Sequence, residues 1–154
     1  ILGIDPGSAR VGYGLIKKNK SSFEFLEAGL LKIDSKDKNE RLVDLEKSFS
    51  SLLKKEKPDL VSMEKIYFYK NVKTGIEVAQ ARGVLTFVVI KNKIPLLEYT
   101  PSEVKSMITG YGMADKKAIA KTVEKILKIN KINDYDDATD ALAIAITAGY
   151  RENT

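Results

Sequence analysis

Four carboxylates that are far apart in the sequence lie in local settings that suit metal-dependent chemistry. Asp5 and Glu64 each follow a short apolar run, and Asp137 and Asp140 open an alanine-rich segment. Hard divalent cations such as Mg²⁺ prefer oxygen ligands, and two such ions can clamp the attacking and leaving oxygens of a phosphodiester. Acids at two strand ends and one helix start therefore predict a two-metal phosphoryl-transfer site.

Each of these acids also has a structural explanation when it is taken alone. Asp5 precedes Pro-Gly and could form a turn, while Asp137 could cap a helix. Asp140 and Glu64 are harder to explain in this way, because their neighbours in the sequence are apolar. Asp137 and Asp140 are three residues apart, so on a helix their Cβ atoms lie about 5–6 Å apart on one face. Four unpaired carboxylates would repel each other strongly, so together they predict bound cations or raised pKa values.

The first third of the chain has the pattern of an antiparallel meander followed by a helix. Apolar runs at residues 1–5, 11–16 and 23–33 are joined by short links, and a change of phase in the third predicts a bulge. Helical spacing of apolar residues then predicts an amphipathic helix over residues 39–55. The next predicted strand, at residues 60–66, would lie parallel to the first strand through a right-handed crossover.

The rest of the chain is predicted to be mostly helical. A helix over residues 72–92 is followed by a strand over residues 94–99, and three more helices begin near residues 100, 115 and 134–137. The order of elements predicts an α/β fold, with a mixed five-stranded sheet in one domain over residues 1–154. In such a sheet Asp5 and Glu64 lie on adjacent strands near the same edge.

The predicted helix over residues 72–92 carries a narrow seam of apolar and small residues. They are spaced alternately four and three apart: Val72, Ile76, Ala79, Gly83, Thr86 and Ile90. The helix could pack this seam on its own sheet, or it could present the seam to a partner helix in a homodimer. The pattern favours neither arrangement over the other.

The composition limits the class of protein. The chain has 154 residues, no cysteine and no histidine, which excludes disulfides, thiolate nucleophiles and histidine general bases. No apolar run approaches the ~20 residues of a membrane span, and the first is too short for a signal peptide. We therefore expect a cytoplasmic protein with no membrane association. The formal charge is +5, and the rest of the surface is more positive still if the four candidate acids bind metals. Such a surface favours a polyanionic partner such as nucleic acid.

Candidate nucleic-acid contacts follow Glu64. Tyr67 belongs to a run of three aromatic residues, and Lys70 and Asn71 come directly after that run. Aromatic faces can stack on unpaired bases while lysines hold phosphates, although at least one of the rings is expected to pack into the core. Three more lysines lie at or beside predicted helix starts: Lys105, Lys116 and Lys117. Without the fold, the default interpretation of each is a solvated surface lysine.

Four motifs occur in order along the chain. They are Gly-Ile-Asp-Pro-Gly-Ser at residues 3–8 with Gly-Tyr-Gly at 12–14, Met-Glu at 63–64, Gln-Ala-Arg-Gly-Val at 80–84 and Asp-Ala-Thr-Asp-Ala-Leu-Ala-Ile-Ala at 137–145. Together they resemble the RuvC family of bacterial four-way (Holliday) junction resolvases, and the resemblance covers essentially the whole chain. It implies a ribonuclease H-like fold, a homodimer and metal-dependent cutting of symmetrically placed strands of a DNA junction.

The resemblance also implies roles for the acids. The family's four metal-binding carboxylates fall on Asp5, Glu64, Asp137 and Asp140, although some relatives carry histidine at the third position. Two Mg²⁺ ions per active site are implied, and Mn²⁺ is expected to substitute. One ion would be held by Asp5 and the last-helix acids, and the other by Asp5 and Glu64. The products would carry 5′-phosphate and 3′-hydroxyl ends.

Implied DNA contacts extend beyond the acids. The family's base-contacting aromatic falls on Tyr67, where phenylalanine is common in relatives. Its functional lysines fall on Lys105, which would position phosphate, and on Lys116, which would neutralise charge near the transition state. The remaining expected DNA contacts are Lys70, Asn71, Arg82 and Lys117.

The resemblance further implies partners and a location. The expected partners are four-way junction DNA, a second copy of the chain and the RuvA–RuvB branch-migration machinery, in the cytoplasm at the bacterial nucleoid. Two alternatives stay open: a ribosomal-RNA maturation nuclease with a ribonuclease H-like core, and a non-catalytic DNA-binding module. An actin-like or sugar-kinase ATPase would need two lobes and about twice this length.

Overall fold

A mixed five-stranded sheet forms the centre of the computed structural model, which describes residues 1–65, 72–131 and 136–152. The strands are β1 (Leu2–Pro6), β2 (Val11–Asn19), β3 (Ser22–Leu30), β4 (Val61–Glu64) and β5 (Leu96–Tyr99). The helices are α1 (Lys38–Glu56), α2 (Val72–Lys91), α3 (Pro101–Thr109), α4 (Lys116–Leu127) and α5 (Asp136–Arg151). This confirms the predicted α/β fold with a mixed five-stranded sheet.

The sheet has the order β3-β2-β1-β4-β5, so β1 lies in its middle. The strand β1 pairs antiparallel with β2 and parallel with β4, and β5 continues the parallel half. The predicted bulge is present, because the register shifts where Leu15 faces Glu27 and Ile16 faces Phe25. Leu26, between those two partners, points its side chain partly into solvent.

Helices cover both faces of the sheet. On one face α1 and α2 bury Leu45, Phe49 and Leu85 against β1 and β4. On the other face α5 packs over β1 and β2, with α3 and α4 beside it. Eleven residues of α5 are buried, which explains its alanine-rich sequence: small side chains let the helix lie close to the sheet. In the described parts of the chain, no helix is both long and apolar enough to span a membrane.

The observed β5 is shorter than the predicted strand over residues 94–99. The amide of Ile94 donates to the carbonyl of Val89 at the end of α2, so it is not available to the sheet. Pro95 has no amide hydrogen, although its carbonyl accepts from Val61. The strand therefore begins at Leu96.

Candidate active site

Strand pairing brings the first two acids to one edge of the sheet. In the parallel pair of β1 and β4, Ile4 lies opposite Met63, and Asp5 and Glu64 are the next residues on the two strands. Parallel strands end at the same edge, so these two carboxylates come from neighbouring positions. The predicted adjacency of Asp5 and Glu64 is confirmed.

Glycines bring the last helix close enough to deliver the other two acids. A Cβ atom placed on Gly3 would lie 2.0 Å from the carbonyl oxygen of Ala141, and one on Gly12 would lie 2.1 Å from that of Asp137. The buried hydroxyl of Ser62 also donates to the carbonyl of Ile144, at 3.3 Å. The backbone of α5 therefore rests directly on the sheet, with its first turn over the end of β1.

One cleft is lined by all four predicted acids. It has a volume of about 300 Å³, and its walls include Asp5, Glu64, Asp137 and Asp140. Strands β1 and β4 supply the first two acids, and the first turns of α5 supply the others. Segments from the beginning, middle and end of the chain thus meet at one concave site.

Two predicted lysines reach the same cleft from neighbouring helices. The helix α3 begins with a capping box in which Thr100 Oγ1 accepts from the amide of Glu103, and its second turn places Lys105 in the cleft wall. The helix α4 is capped by Asp115, and its first residue, Lys116, also lines the cleft. The Nζ of Lys116 is 3.4 Å from Oδ2 of Asp140.

Burial and mutual repulsion raise the pKa values of Asp5, Glu64 and Asp140. The pKa of Asp5 rises to about 8, chiefly because the group is buried and then because of the charges of Asp140, Glu64 and Asp137. The pKa of Glu64 rises to about 7, again through burial first. Burial also raises the pKa of Asp140, although Lys116 opposes that effect. The cleft therefore disfavours bare negative charge.

Arg10 contacts the cluster although the sequence analysis missed it. Its Nε lies 3.0 Å from Oδ2 of Asp137. Arg10 immediately precedes β2, two residues before Gly12, and alternation along a strand puts both residues on the same side. The spacing from Arg10 to Gly12 becomes informative only when the packing of α5 on Gly12 is known, so the sequence alone does not identify Arg10.

The donor set suits a hard divalent cation. All four candidate ligands are carboxylates, and Oδ2 of Asp137 is buried without a hydrogen bond. Within the described ranges, no three acidic side chains are arranged to hold a metal ion in this conformation. By their chemistry, the residues present therefore fit a hard divalent cation.

Arg82 and Lys117 lie outside the cleft lining. Arg82 forms an ion pair with Glu98, and its Nε donates to the carbonyl oxygen of Glu64 at 3.3 Å. These contacts hold α2 against the ends of β4 and β5. Lys117 is exposed on α4 beside Lys116. Tyr67, Lys70 and Asn71 lie outside the described residues.

The small-residue seam of α2 faces solvent in the single chain. Val72 is 72% exposed and Ile76 is 55% exposed, and Ala79 and Gly83 are exposed as well. Thr86 is half-buried. The opposite face of α2 is the one packed on the sheet, through residues such as Leu85 and Val89. Packing of the seam on its own sheet, one of the two interpretations above, is thus wrong.

Comparisons with known proteins agree on one family. The family model described as "Crossover junction endodeoxyribonuclease RuvC" matches residues 1–148. The RuvC of Petrotoga mobilis is 42% identical over 150 residues, which is 97% of this chain and 92% of the relative. The RuvC of Fusobacterium nucleatum is 45% identical over 149 residues, 96% of this chain and 78% of the relative.

Solved structures show the same similarity. Thermus thermophilus RuvC in complex with a Holliday junction substrate superposes with a TM-score of 0.90 at 27% identity, covering 99% of this chain and 94% of the other. A yeast mitochondrial Holliday junction resolvase has a TM-score of 0.71 at 18% identity, covering 98% of this chain and 80% of the other, which supports the fold alone.

Proposed function

The chain belongs to the RuvC family of crossover junction endodeoxyribonucleases, and we propose that the cleft lined by Asp5, Glu64, Asp137 and Asp140 is its active site. As a member of that family it is a metal-dependent nuclease that resolves Holliday junctions in DNA recombination and repair. The observation that carries the assignment of the site is the convergence of four acids, from three distant segments, on one cleft.

The four acids would hold two Mg²⁺ ions, with Mn²⁺ able to substitute. Asp5 would be a ligand of both ions. Glu64 would bind one of them, and Asp137 and Asp140 would bind the other. When bound, such ions lower the pKa of the attacking water and stabilise the departing 3′ oxygen. The raised pKa values of Asp5 and Glu64 support this assignment, because a site that disfavours bare carboxylates favours a neutralising cation.

The lysines of the cleft would act on the DNA strand. Lys105 and Lys116 come from two separate helices and stand in the cleft wall, where a phosphodiester would lie between them and the acids. Lys105 would hold the phosphate in register, and Lys116 would offset the charge that develops during cutting. Paired nicks of this kind leave 5′-phosphate and 3′-hydroxyl ends.

The segment after Glu64 would hold the opened strand. We expect Tyr67 to stack on an unpaired base, with Lys70 and Asn71 at the backbone. The support for this proposal is the sequence and its resemblance to the family. Lys117 is exposed beside the cleft lysines and could extend the phosphate contact, whereas Arg82 is paired with Glu98 and would have to exchange that partner for DNA.

A homodimer would present two such clefts to one junction. The exposed seam of α2 supports this proposal, because its residues are apolar or small and most of them face solvent in the single chain. Beside it lies a groove of about 460 Å³ between α1 and α2, lined by Val43, Val84 and Phe87 among others. A two-fold pairing of α2 helices would cover both surfaces. Cooperation with the RuvA–RuvB machinery in the cytoplasm at the nucleoid completes the proposal.

A metal titration with three substrates tests the assignment. With Mg²⁺ added, the protein should cut a labelled four-way junction and spare both a linear duplex and a structured RNA. Cutting of the RNA in preference to the junction would instead favour the ribosomal-RNA maturation nuclease.

The variant Asp5→Asn tests the site itself. It should lose cutting by several orders of magnitude while still binding the junction, because the lysines that attract DNA are intact. The matched control is Asp34→Asn, which removes an exposed acid paired with Lys32 on the surface and should cut normally. Undiminished cleavage by Asp5→Asn would end the proposal.

A further inference from the structure

Arg10 forms an ion pair with Asp137, one of the acids that line the cleft. Its side chain is 56% exposed, while the Asp137 side chain that it meets is 23% exposed. The guanidinium therefore covers the outer side of a carboxylate that is itself largely inside. Nothing in the proposed cutting reaction uses this cation.

The position of Arg10, directly before β2, brings its side chain to Asp137. Gly12 lies against the backbone of Asp137, and Arg10 is two residues earlier on the same side of the chain. The alternation that seats α5 on Gly12 therefore also directs the side chain of Arg10 to the first turn of α5. The contact between Arg10 and Asp137 therefore depends on how α5 packs against β2.

Helix electrostatics do not explain a cation here. The first turn of α5 is the positive end of the helix dipole and by itself disfavours an arginine. The acids Asp136 and Asp137 in that turn reverse the local preference. In the same way Lys116 stands against Asp140. Each acid that α5 brings to the cleft is thus paired with a cation, and this agrees with the absence, in the described residues, of three acids gathered for a metal.

We propose that Arg10 neutralises Asp137 in the metal-free enzyme and must leave it when a divalent ion binds there. The inference depends on the proposed function in one respect, that Asp137 is a metal ligand. Oδ2 of Asp137 makes no hydrogen bond although Arg10 is 3.0 Å away, so charge rather than a directed bond holds the pair. Such a contact can be exchanged for a metal ion without breaking a hydrogen bond.

The strength of the contact sets the size of the effect. Partly exposed ion pairs are weak, and their displacement would cost about a two- to fivefold loss in metal affinity. Arg10 would therefore raise the concentration of Mg²⁺ at which the helix-side ligands become occupied.

Calorimetric titration of Mg²⁺ into the DNA-free protein tests this inference. Arg10→Gln should bind Mg²⁺ about two- to fivefold more tightly than Lys117→Gln, which removes the same charge from a nearby exposed position without a contact to Asp137. Arg10→Lys, which keeps the charge, should stay close to the wild type. In EDTA, Arg10→Gln should unfold at a lower denaturant concentration than Lys117→Gln, and the gap should close in saturating Mg²⁺.

Two results would overturn the role of Arg10. Equal tightening by Arg10→Gln and Lys117→Gln would show that only the general charge matters. Weaker Mg²⁺ binding by Arg10→Gln would show that the guanidinium holds Asp137 ready for the ion. In either case Asp5→Asn would still abolish Mg²⁺ binding, and the proposed function would stand. If the wild type and Asp5→Asn bind Mg²⁺ alike, the proposed active site fails as well.

Discussion

At the scale of single residues, the fold makes the carboxyl group of Asp5 difficult to ionise. It lies at the end of the central strand, largely buried, with Glu64 on the next strand and Asp140 on the helix above. These surroundings raise its pKa to about 8, so near neutral pH and without metal the group holds its proton. A divalent ion bound at the proposed site would reverse this preference, because its positive charge favours the ionised carboxylate.

Stability in EDTA should therefore depend on pH in a defined direction. In the unfolded chain an aspartate loses its proton near pH 4, whereas folded Asp5 keeps it until about pH 8. Between these values the folded state binds the extra proton, so the free energy of unfolding falls as pH rises. The slope is at most about 1.4 kcal/mol per pH unit for one such group. Urea unfolding at pH 5, 6, 7 and 8 measures it.

The sequence has no histidine, so no imidazole titrates in the same range. Asp5→Asn serves as the reference and should show a flatter slope, and Glu64 and Asp140, whose pKa values are also raised, contribute to the slope that remains. Saturating Mg²⁺ should flatten the wild-type slope too. Identical slopes for the wild type and Asp5→Asn in EDTA would show that Asp5 does not hold the proton.

The positions of the acids could be predicted from sequence, but the ion pairs made by Arg10 and Arg82 could not. Asp5 and Glu64 each follow a short buried run, and Asp140 interrupts an alanine-rich helix, so local pattern marks all three. Arg10 and Arg82 carry no such mark. Their partners, Asp137 and Glu98, come from other elements, and only the packing of those elements decides which way each guanidinium turns.

At the scale of elements, the seat of α5 on the sheet controls the site. Gly3 lets the carbonyl of Ala141 approach the strand, and Gly12 does the same for Asp137. A helix that rests this closely cannot tilt without separating its acids from those of the strands. The position of two candidate metal ligands thus depends on glycines that contact no metal.

Gly3→Ala should harm metal binding and stability together. Its new methyl carbon would meet the Ala141 carbonyl at 2.0 Å, so α5 must move away. We expect a loss of about 3 kcal/mol in the free energy of unfolding and weaker Mg²⁺ binding by calorimetry. The matched control is Gly83→Ala, where a Cβ meets nothing within 4 Å in the single chain, far from α5; it should bind Mg²⁺ normally. Normal Mg²⁺ binding by Gly3→Ala would contradict the role given to the helix seat.

The elements themselves were predictable where local signals agree. The helix start near residue 100, where the structure has a capping box from Thr100 to Glu103, and the bulge in the third strand were both predicted and both occur. The face of α2 that meets the sheet was not predictable. Its seam and its buried face, with Val78, Leu85 and Val89, are both apolar, so periodicity alone gives two solutions. Tertiary packing selects between them.

At the scale of the whole molecule, the exposed seam of α2 leads to a prediction about assembly. Ile76→Glu should convert the proposed dimer into a monomer, because it places a charge in an exposed apolar seam that the two-fold contact would bury. Light scattering after gel filtration at micromolar concentration would measure the mass. Leu26→Glu, at a position 46% exposed on β3 and away from α2, is the matched control and should stay dimeric. A wild-type protein of monomeric mass would contradict the proposed dimer.

The dependence on α5 also bears on when the enzyme becomes active during synthesis. A ribosome makes Asp5 first and α5 after every other described element, yet α5 packs on the first strand and brings Asp137 and Asp140 with it. A nascent polypeptide that has not reached this helix carries only two of the four acids. Neither an unfinished chain nor one shortened by a premature stop codon should therefore nick the chromosome.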